Sequence, residues 1–196
     1  MHKLGIIGDI HGKGESYKRL IRDCEYSVQV GDMGFDYGFL NDIDSTHHRF
    51  IPGNHDNYNC LPPHSLGDYG LWTIPSFELF FVRGAWSIDY KYRTLGVDLF
   101  EEEELSVAQF DKCIELYSKL RPDFVISHSC PLEIVGKLKL QSGKVVKTRT
   151  VQALQAMFEI HQPTLWIFGH YHQTFRTLYK GTMFICVDSN AGFYLR

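Results

Sequence analysis

Side chains able to hold a divalent cation recur in this chain directly after short apolar runs. LGIIGD delivers Asp9 and, two residues on, His11; SVQVGD delivers Asp32; RFIPGNHD delivers Asn54 and His55. FVISH then delivers His128, and LWIFGHYH delivers His170 and His172. Each run has the length and composition of a buried strand and stops at Gly or at the polar residue itself. Strand ends of this kind collect at one edge of an open α/β sheet, where ligands bind. Taken singly, each residue reads as a turn or cap residue. Taken together, they predict two divalent metals held side by side and a hydrolytic enzyme.

The spacing carries its own argument. Residues i and i+2 of an extended chain point to the same side, so Asp9 and His11 can grip one cation while Ile10 turns to the core. His170 and His172 repeat the device with two imidazoles. Gly8, Gly31, Gly53 and Gly169 each stand one residue before Asp9, Asp32, Asn54 and His170. Glycine there permits the tight turn and the close backbone approach that a crowded centre needs. Asp32 has two carboxylate oxygens and is the candidate bridge between two ions, and Asn54 offers a neutral amide oxygen to the second. Imidazole and oxygen donors without thiolate favour Mn, Fe or Zn over Ca or Mg. Two such ions roughly 3.5–4 Å apart can lower the pKa of a shared water and clamp phosphoryl oxygens.

The elements that must position these residues follow from periodicity and turn chemistry. Strands are predicted over 3–9, 26–31, 47–51, 71–74, 77–83, 123–127, 164–168, 174–179 and 182–187. A short helix is predicted over Ser16 to Asp23, with Tyr17, Leu20 and Ile21 inward, and a helical turn over 36–43. Asn57 to Gly70 is rich in Asn, Pro and Gly and reads as a loop. Ser106 is a candidate N-cap for a helix whose apolar face includes Val107, Phe110, Ile114, Leu116 and Tyr117 and which ends before Pro122. Thr150 is the candidate N-cap of another helix, running to about His161. Residues 131–149 form a longer insert. The order is βαβ-like early and β-rich later, which suggests an α/β (α+β) fold with two packed sheets and helices on their outer faces.

Composition sets the bounds. The chain has 196 residues, 44% of them hydrophobic and 14% aromatic, which suits a single domain over 1–196 with a substantial core. A net charge of −3 gives no global basic surface. The five cysteines, Cys24, Cys60, Cys113, Cys130 and Cys186, are odd in number, scattered and without a CxxC pair. That pattern argues against a disulfide framework and for a reducing, cytoplasmic setting. The first apolar run leads straight into Asp9 and His11, so it is read as a strand and not as a signal segment. No run reaches the roughly 18 apolar residues of a membrane span, and no membrane partner is expected.

The ordered set GDIHG (8–12), GDMGFD (31–36), GNHD (53–56), His128 and GHYH (169–172) resembles the calcineurin-like metallophosphoesterase superfamily. The motifs extend over nearly the whole chain. The resemblance implies a two-sheet β-sandwich flanked by helices, an αββα architecture. It also implies one metal on Asp9, His11 and His172, the other on Asn54, His128 and His170, and Asp32 as the bridge. The expected reaction is in-line attack by a hydroxide shared between the ions. His55 stands over the substrate, with Asn54, and protonates the leaving oxygen as general acid. The chain departs from the family pattern GDxxD, whose second Asp pairs with the catalytic His: here the carboxylate comes one residue later, at Asp36. The orienting group is then Asp36 on a bulged loop, Asp56, or water. The motifs GNHE and GDxxDRG of the protein Ser/Thr phosphatases are absent, which argues against that activity.

Further residues could serve the substrate. The stretch Arg83 to Asp89 with Arg93 and Glu101 to Glu104 resembles a segment of small superfamily members, and Arg93 could grip a phosphate bidentately. Glu101 to Glu104 read as a solvated approach to the following helix. The basic insert (Lys137, Lys139, Lys144, Lys147 and Arg149) could cover the active-site mouth or form a solvated hairpin. His2, His47, His48, His64 and His161 read as ordinary strand, loop or helix residues, His64 being the one nearest the GNHD motif. Cys130 reads as packing. The expected activity is a phosphodiesterase or phosphatase on a phosphate ester, nucleotides included. The alternatives are a nuclease, with Tyr58, Tyr69, Trp86, Tyr90 and Tyr92 stacking bases, and an inactive scaffold of the same fold.

Overall fold

The computed structural model describes residues 2–140, 143 and 145–196. Its first sheet contains β1 (His2–Ile7), β2 (Cys24–Gln29), β3 (His48–Phe50) and a late strand, β10 (Gly192–Leu195), in the order β10-β1-β2-β3. The second contains β4 (Tyr69–Ile74), β5 (Phe77–Val82), β6 (Phe124–Ser127), β7 (Leu165–Phe168), β8 (Phe175–Tyr179) and β9 (Thr182–Cys186), in the order β4-β5-β6-β7-β9-β8. β1, β2 and β3 are mutually parallel, as are β5, β6, β7 and β9. Among the described residues the antiparallel pairs are β1–β10, β4–β5 and β8–β9. The parallel blocks send their carboxyl ends, with the ligand-bearing loops, to one edge of the sandwich.

Burial follows the strand period. Leu4, Ile6, Val28, Val30 and Ile51 of the first sheet pack on Leu79, Phe81, Ile126, Ile167 and Ile185 of the second, forming the inner core. The opposite face of the first sheet carries Ile7 and Phe50, covered by Tyr17 and Ile21 of α1 (Gly14–Ile21) and by Met33, Tyr37 and Leu40. The opposite face of the second sheet carries Phe80, Val125, Trp166 and Phe184. These lie beneath α2 (Val107–Leu120), α3 (Leu132–Val135) and α4 (Arg149–Ile160). The result is the expected helix–sheet–sheet–helix layering, with strands that read as continuous apolar runs because both faces are covered.

Several local expectations shift. Ser106 caps α2 through a reciprocal box with Gln109, but Val107 is exposed and Cys113 takes the buried position beside Phe110 and Tyr117. The cap of α4 is Thr148, whose hydroxyl accepts from Val151 N at 3.3 Å. Thr150 sits inside the first turn and donates its hydroxyl to Glu104 Oε1 at 2.8 Å. Two candidate hydroxyls stand two residues apart, and the carboxylate of Glu104, distant in sequence, claims the second. β10 escaped the sequence reading because its residues are all half-buried at a sheet edge, with no clean alternation. No helix among the described residues is long and apolar enough to cross a membrane.

Candidate metal centre

Every ligand candidate lies just beyond the carboxyl end of a parallel strand: Asp9 and His11 after β1, Asp32 after β2, Asn54 after β3, His128 after β6, His170 and His172 after β7. Backbone bonds stitch these ends together. Ile10 N and His11 N both donate to Asp32 O, at 3.0 and 2.8 Å, and Gly169 N donates to His128 O at 3.1 Å. His11, Asp32, His170 and His172 all have positive φ, between 47° and 66°. Non-glycine residues enter this region at a cost of order 1–3 kcal/mol each, and such strain collects at functional sites. Two glycines are required by contact: a side-chain carbon on Gly31 would strike the His128 ring, and one on Gly53 would strike the Asp32 carboxylate.

Two groups of donors converge. Asp9, His11, Asp32 and His172 bring ligand atoms within 4.8 Å of one another, and so do Asp32, His128 and His170. In the first, His172 Nε2 lies 3.0 Å from Asp9 Oδ2 and His11 Nε2 lies 3.1 Å from His172 Nε2. In the second, His128 Nε2 lies 3.2 Å from Asp32 Oδ1 and 3.0 Å from Asn54 Oδ1. Asp32 belongs to both groups. It is buried, as are Asp9, Asn54 and His128. His128 Nδ1 meets the Val30 carbonyl at 2.7 Å, so this nitrogen donates and Nε2 presents its lone pair inward in the neutral ring. Lone pairs and carboxylate oxygens that face one another in a buried space fit a cation pair and are poorly compensated without one.

Electrostatics support the same reading. With protons alone, burial opposes charge on His128, but the Asp32 and Asp9 carboxylates outweigh it and lift the ring to about 9. Burial and the neighbouring His128 hold His170 down to about 3, against the pull of Asp32. Burial also opposes charge on Asp32, but the imidazoles of His128, His55 and His11 carry its carboxyl well below the ordinary range. The charged Asp32 carboxylate and the neutral His170 ring are states a divalent ion selects, whereas the raised His128 shows how strongly the buried carboxylates call for positive charge, which an ion would supply in place of the proton.

His55 faces the same cleft. Its backbone N donates to Asp32 Oδ1 at 2.8 Å, and its ring packs edge-on to His11 and Phe35, with centroids at 5.4 and 6.2 Å. Burial lowers the ring below the usual imidazole range; Asp32 and Asp89 oppose the shift and Arg93 adds to it.

The expected orienting acids are placed elsewhere. Asp36 is exposed and spends its Oδ1 on Gly38 N at 2.9 Å, an Asx turn that closes the local loop. Asp56 is buried and accepts from the backbone N of Asp32, Met33, Gly34 and Gly53 and from the Tyr37 hydroxyl. It fixes the loops beneath the site, and none of its bonds goes to the His55 ring. The carboxylate that acts on His55 from outside the ligand set is Asp89 on the segment after β5, which also lines the cleft.

Arg93 is likewise reassigned. Its side chain is 5% exposed and pairs with Glu103 Oε1 at 2.8 Å. It also donates to Asn54 O at 2.8 Å, to the Ser87 hydroxyl and to Asp98 O, so it has no free fork for a phosphate. Ser87 accepts from Asn54 Nδ2 at 2.9 Å and donates to Glu103 Oε2 at 2.6 Å. This relay ties down the amide nitrogen of Asn54 and turns Oδ1 toward His128. Ser87 and Glu103 thus escaped the sequence reading: Glu103, expected to be solvated, is buried in a pair with an arginine distant from any motif. The signals available were the resemblance of the Arg83–Asp89 stretch to a family segment and the placement of Ser87 past a parallel strand.

The surrounding expectations divide. Lys139 of the insert lines the cleft, but Lys137 lies over the Tyr179 ring at 4.3 Å and Arg149 reaches toward Glu104; Lys144 lies outside the described residues. Of the five expected stacking aromatics only Trp86 lines the cleft. Tyr58 is held beneath Arg83 and donates to Gly53 O at 2.8 Å. His64 is buried against the Ile43 carbonyl at 2.9 Å, and Cys130 is buried in the core, a packing residue.

Comparison with known proteins now decides the kinship. A family model described as calcineurin-like phosphoesterase matches residues 2–174. The chain belongs to that family. It is accordingly a metal-dependent phosphoric ester hydrolase, and its family is one that uses paired metals. Among solved structures, this phosphoesterase resembles a protein of Thermus thermophilus at TM-score 0.60 and 10% identity, covering 96% of this chain and 90% of that one. A dimetal phosphatase from Danio rerio aligns at TM-score 0.58 and 14% identity, over 98% and 92% of the two chains. A putative 5'-nucleotidase from Staphylococcus aureus aligns at TM-score 0.54 and 13% identity, and the alignment covers 96% of this chain but only 48% of that protein. At such identities the likeness is one of fold. No functionally curated protein matches the sequence.

Proposed function

We propose that the phosphoesterase binds one divalent ion on Asp9, His11, Asp32 and His172 and a second on Asp32, Asn54, His128 and His170, and hydrolyses small phosphate esters between them and His55. The observation that carries this reading is Asp32, whose two oxygens face separate imidazoles, Oδ1 at 3.2 Å from His128 and Oδ2 at 3.8 Å from His11. Mn, Fe or Zn suits the donor set. When bound, such ions supply an acidified water and positive charge for the phosphoryl oxygens.

The chain's own residues do the rest. The Ser87–Glu103–Arg93 relay orients the Asn54 amide, and the Val30 carbonyl orients His128. The Asp56 carboxylate, fixed by four backbone donors, holds the loops that carry Asp32 and Asn54. His55 lines the cleft and donates its proton to the departing oxygen, and a bound phosphate raises the affinity of the ring for that proton. Asp89 adds negative charge on the same side.

Mono- and diesters both fit the open cleft. A nucleic acid substrate is less well supported: a single strand needs a basic track and stacking platforms, whereas Lys139 is the one cation among the residues lining the cleft. A nucleotide reading draws only on the likeness to the putative 5'-nucleotidase. The test is elemental analysis after Mn reconstitution, combined with p-nitrophenyl mono- and diesters and single-stranded DNA. Two ions per chain with ester turnover support the proposal. Digestion of DNA with no hydrolysis of either ester would replace it with the nuclease reading, and an inert protein without metal would revive the scaffold.

A further inference from the structure

The cleft is larger than a phosphoryl group requires and changes character along its length. Its volume is about 360 Å³, within the range of pockets that enclose a whole organic ligand. One end is the polar cage of Asp32, Asn54, His55, His170 and His172. The other is a wall of Trp86 and Ile88 from the segment after β5, with Val135, Leu140, Val146 and Val151 from α3, the insert and α4.

Apart from Asp89, an acid beside Ile88 that faces the Arg93 guanidinium at 3.6 Å, the polar groups on that wall are committed to one another. The Ser129 hydroxyl pairs with the Tyr171 hydroxyl at 2.9 Å. Gln173 accepts from Lys139 N at 3.3 Å and donates to Lys139 O at 3.4 Å. Thr148 is spent on capping α4. The edges of a nucleobase or a sugar would find few free partners there, and burying them unpaired is costly. Meanwhile Ile88 is 65% exposed and Val146 41% exposed at the mouth, large apolar surfaces left open beside a reactive centre.

We propose that this wall is a subsite for an apolar ester arm, so that the substrate class is a phosphoester of an alkyl or aryl alcohol. The inference rests on the phosphoesterase reading for its reaction, but its binding component is separate. The phosphoryl group sits in the polar cage, and the hydrocarbon arm lies between Trp86 and Ile88 on one side and Leu140 and Val146 on the other. Lys139, which has no ion-pair partner among the described residues, stands at the rim as a cation for the anionic head during entry.

Primary alkyl phosphates test this without changing leaving-group chemistry. On the Mn-loaded protein, octyl phosphate should be hydrolysed with a kcat/KM at least about tenfold above ethyl phosphate, from the extra hydrocarbon buried. Adenosine monophosphate should rank below octyl phosphate. Calorimetry should show the same order for the non-hydrolysable octyl- and ethylphosphonates, and octylphosphonate should alter a fluorescence component that Trp86→Phe removes. Ile88→Asp and Val146→Asp, both at exposed positions, should collapse the chain-length ratio. If neither ester turns over yet octylphosphonate binds more tightly than ethylphosphonate, the subsite stands and the hydrolytic reading fails. If both esters turn over with equal kcat/KM, or adenosine monophosphate is preferred, the subsite is wrong and the hydrolytic reading stands.

Discussion

The two ends of the cleft are built by different means. The polar end comes from strand termini: seven ligand candidates leave five parallel strands within a few residues of their ends, and backbone bonds between neighbouring loops fix Asp9, His11, Asp32 and His128. The apolar end comes from connections, the segment after β5 and the insert between β6 and α4, whose large side chains remain partly open. A rigid sheet edge can hold donors at the sub-ångström tolerance that metal chemistry demands. Connections tolerate variation and suit the selection of substrate. The contrast assigns chemistry to the first end and choice of ester to the second.

Substitutions at the polar end should therefore have the larger effects. Asp32→Ala removes a donor from both ligand groups and should reduce turnover to background, with loss of both ions in elemental analysis. His55→Ala should lower kcat by about 10²–10⁴-fold, the usual contribution of a general acid, with metal content retained. Normal turnover in that variant would remove the acid role. Ser87→Ala releases the amide of Asn54 and should cost about 10–100-fold in metal affinity or activity, as loss of an outer-shell partner does. Asp36→Ala, by contrast, should leave kcat close to that of the unsubstituted protein, because its carboxylate serves only the Gly38 turn. A fall like that of His55→Ala would restore Asp36 to the site. At the insert the effect is on stability: Thr148→Ala removes the cap of α4 and should cost about 1 kcal/mol in thermal unfolding.

The same division explains how much was legible in the sequence. The convergence of the ligand candidates could be read because each follows an apolar run and the rule for parallel strands places all such ends together. The layering followed for the same reason, since LWIF and the first three residues of FVIS form continuous apolar runs, as doubly covered strands do. The group acting on His55 could not be read that way. Asp36 lies closest to the family spacing, but an Asx turn with its own backbone satisfies it, while Asp89 reaches the cleft from the segment that follows a strand of the other sheet. Arg93 and Glu103 were equally opaque. An arginine and a glutamate ten residues apart look solvent-facing in a chain with many charges, and only the fold shows that they bury each other beneath Asn54. β10 was missed for the opposite reason, having too weak a pattern to distinguish an edge strand from a tail.

The central claim is that Asp32 joins two ions in one cage. Electron paramagnetic resonance during titration with Mn tests it most directly. The account predicts that at two equivalents per chain the spectrum becomes that of an exchange-coupled Mn pair, and that Asp32→Ala abolishes it. Spectra of isolated, uncoupled Mn at every loading would contradict it.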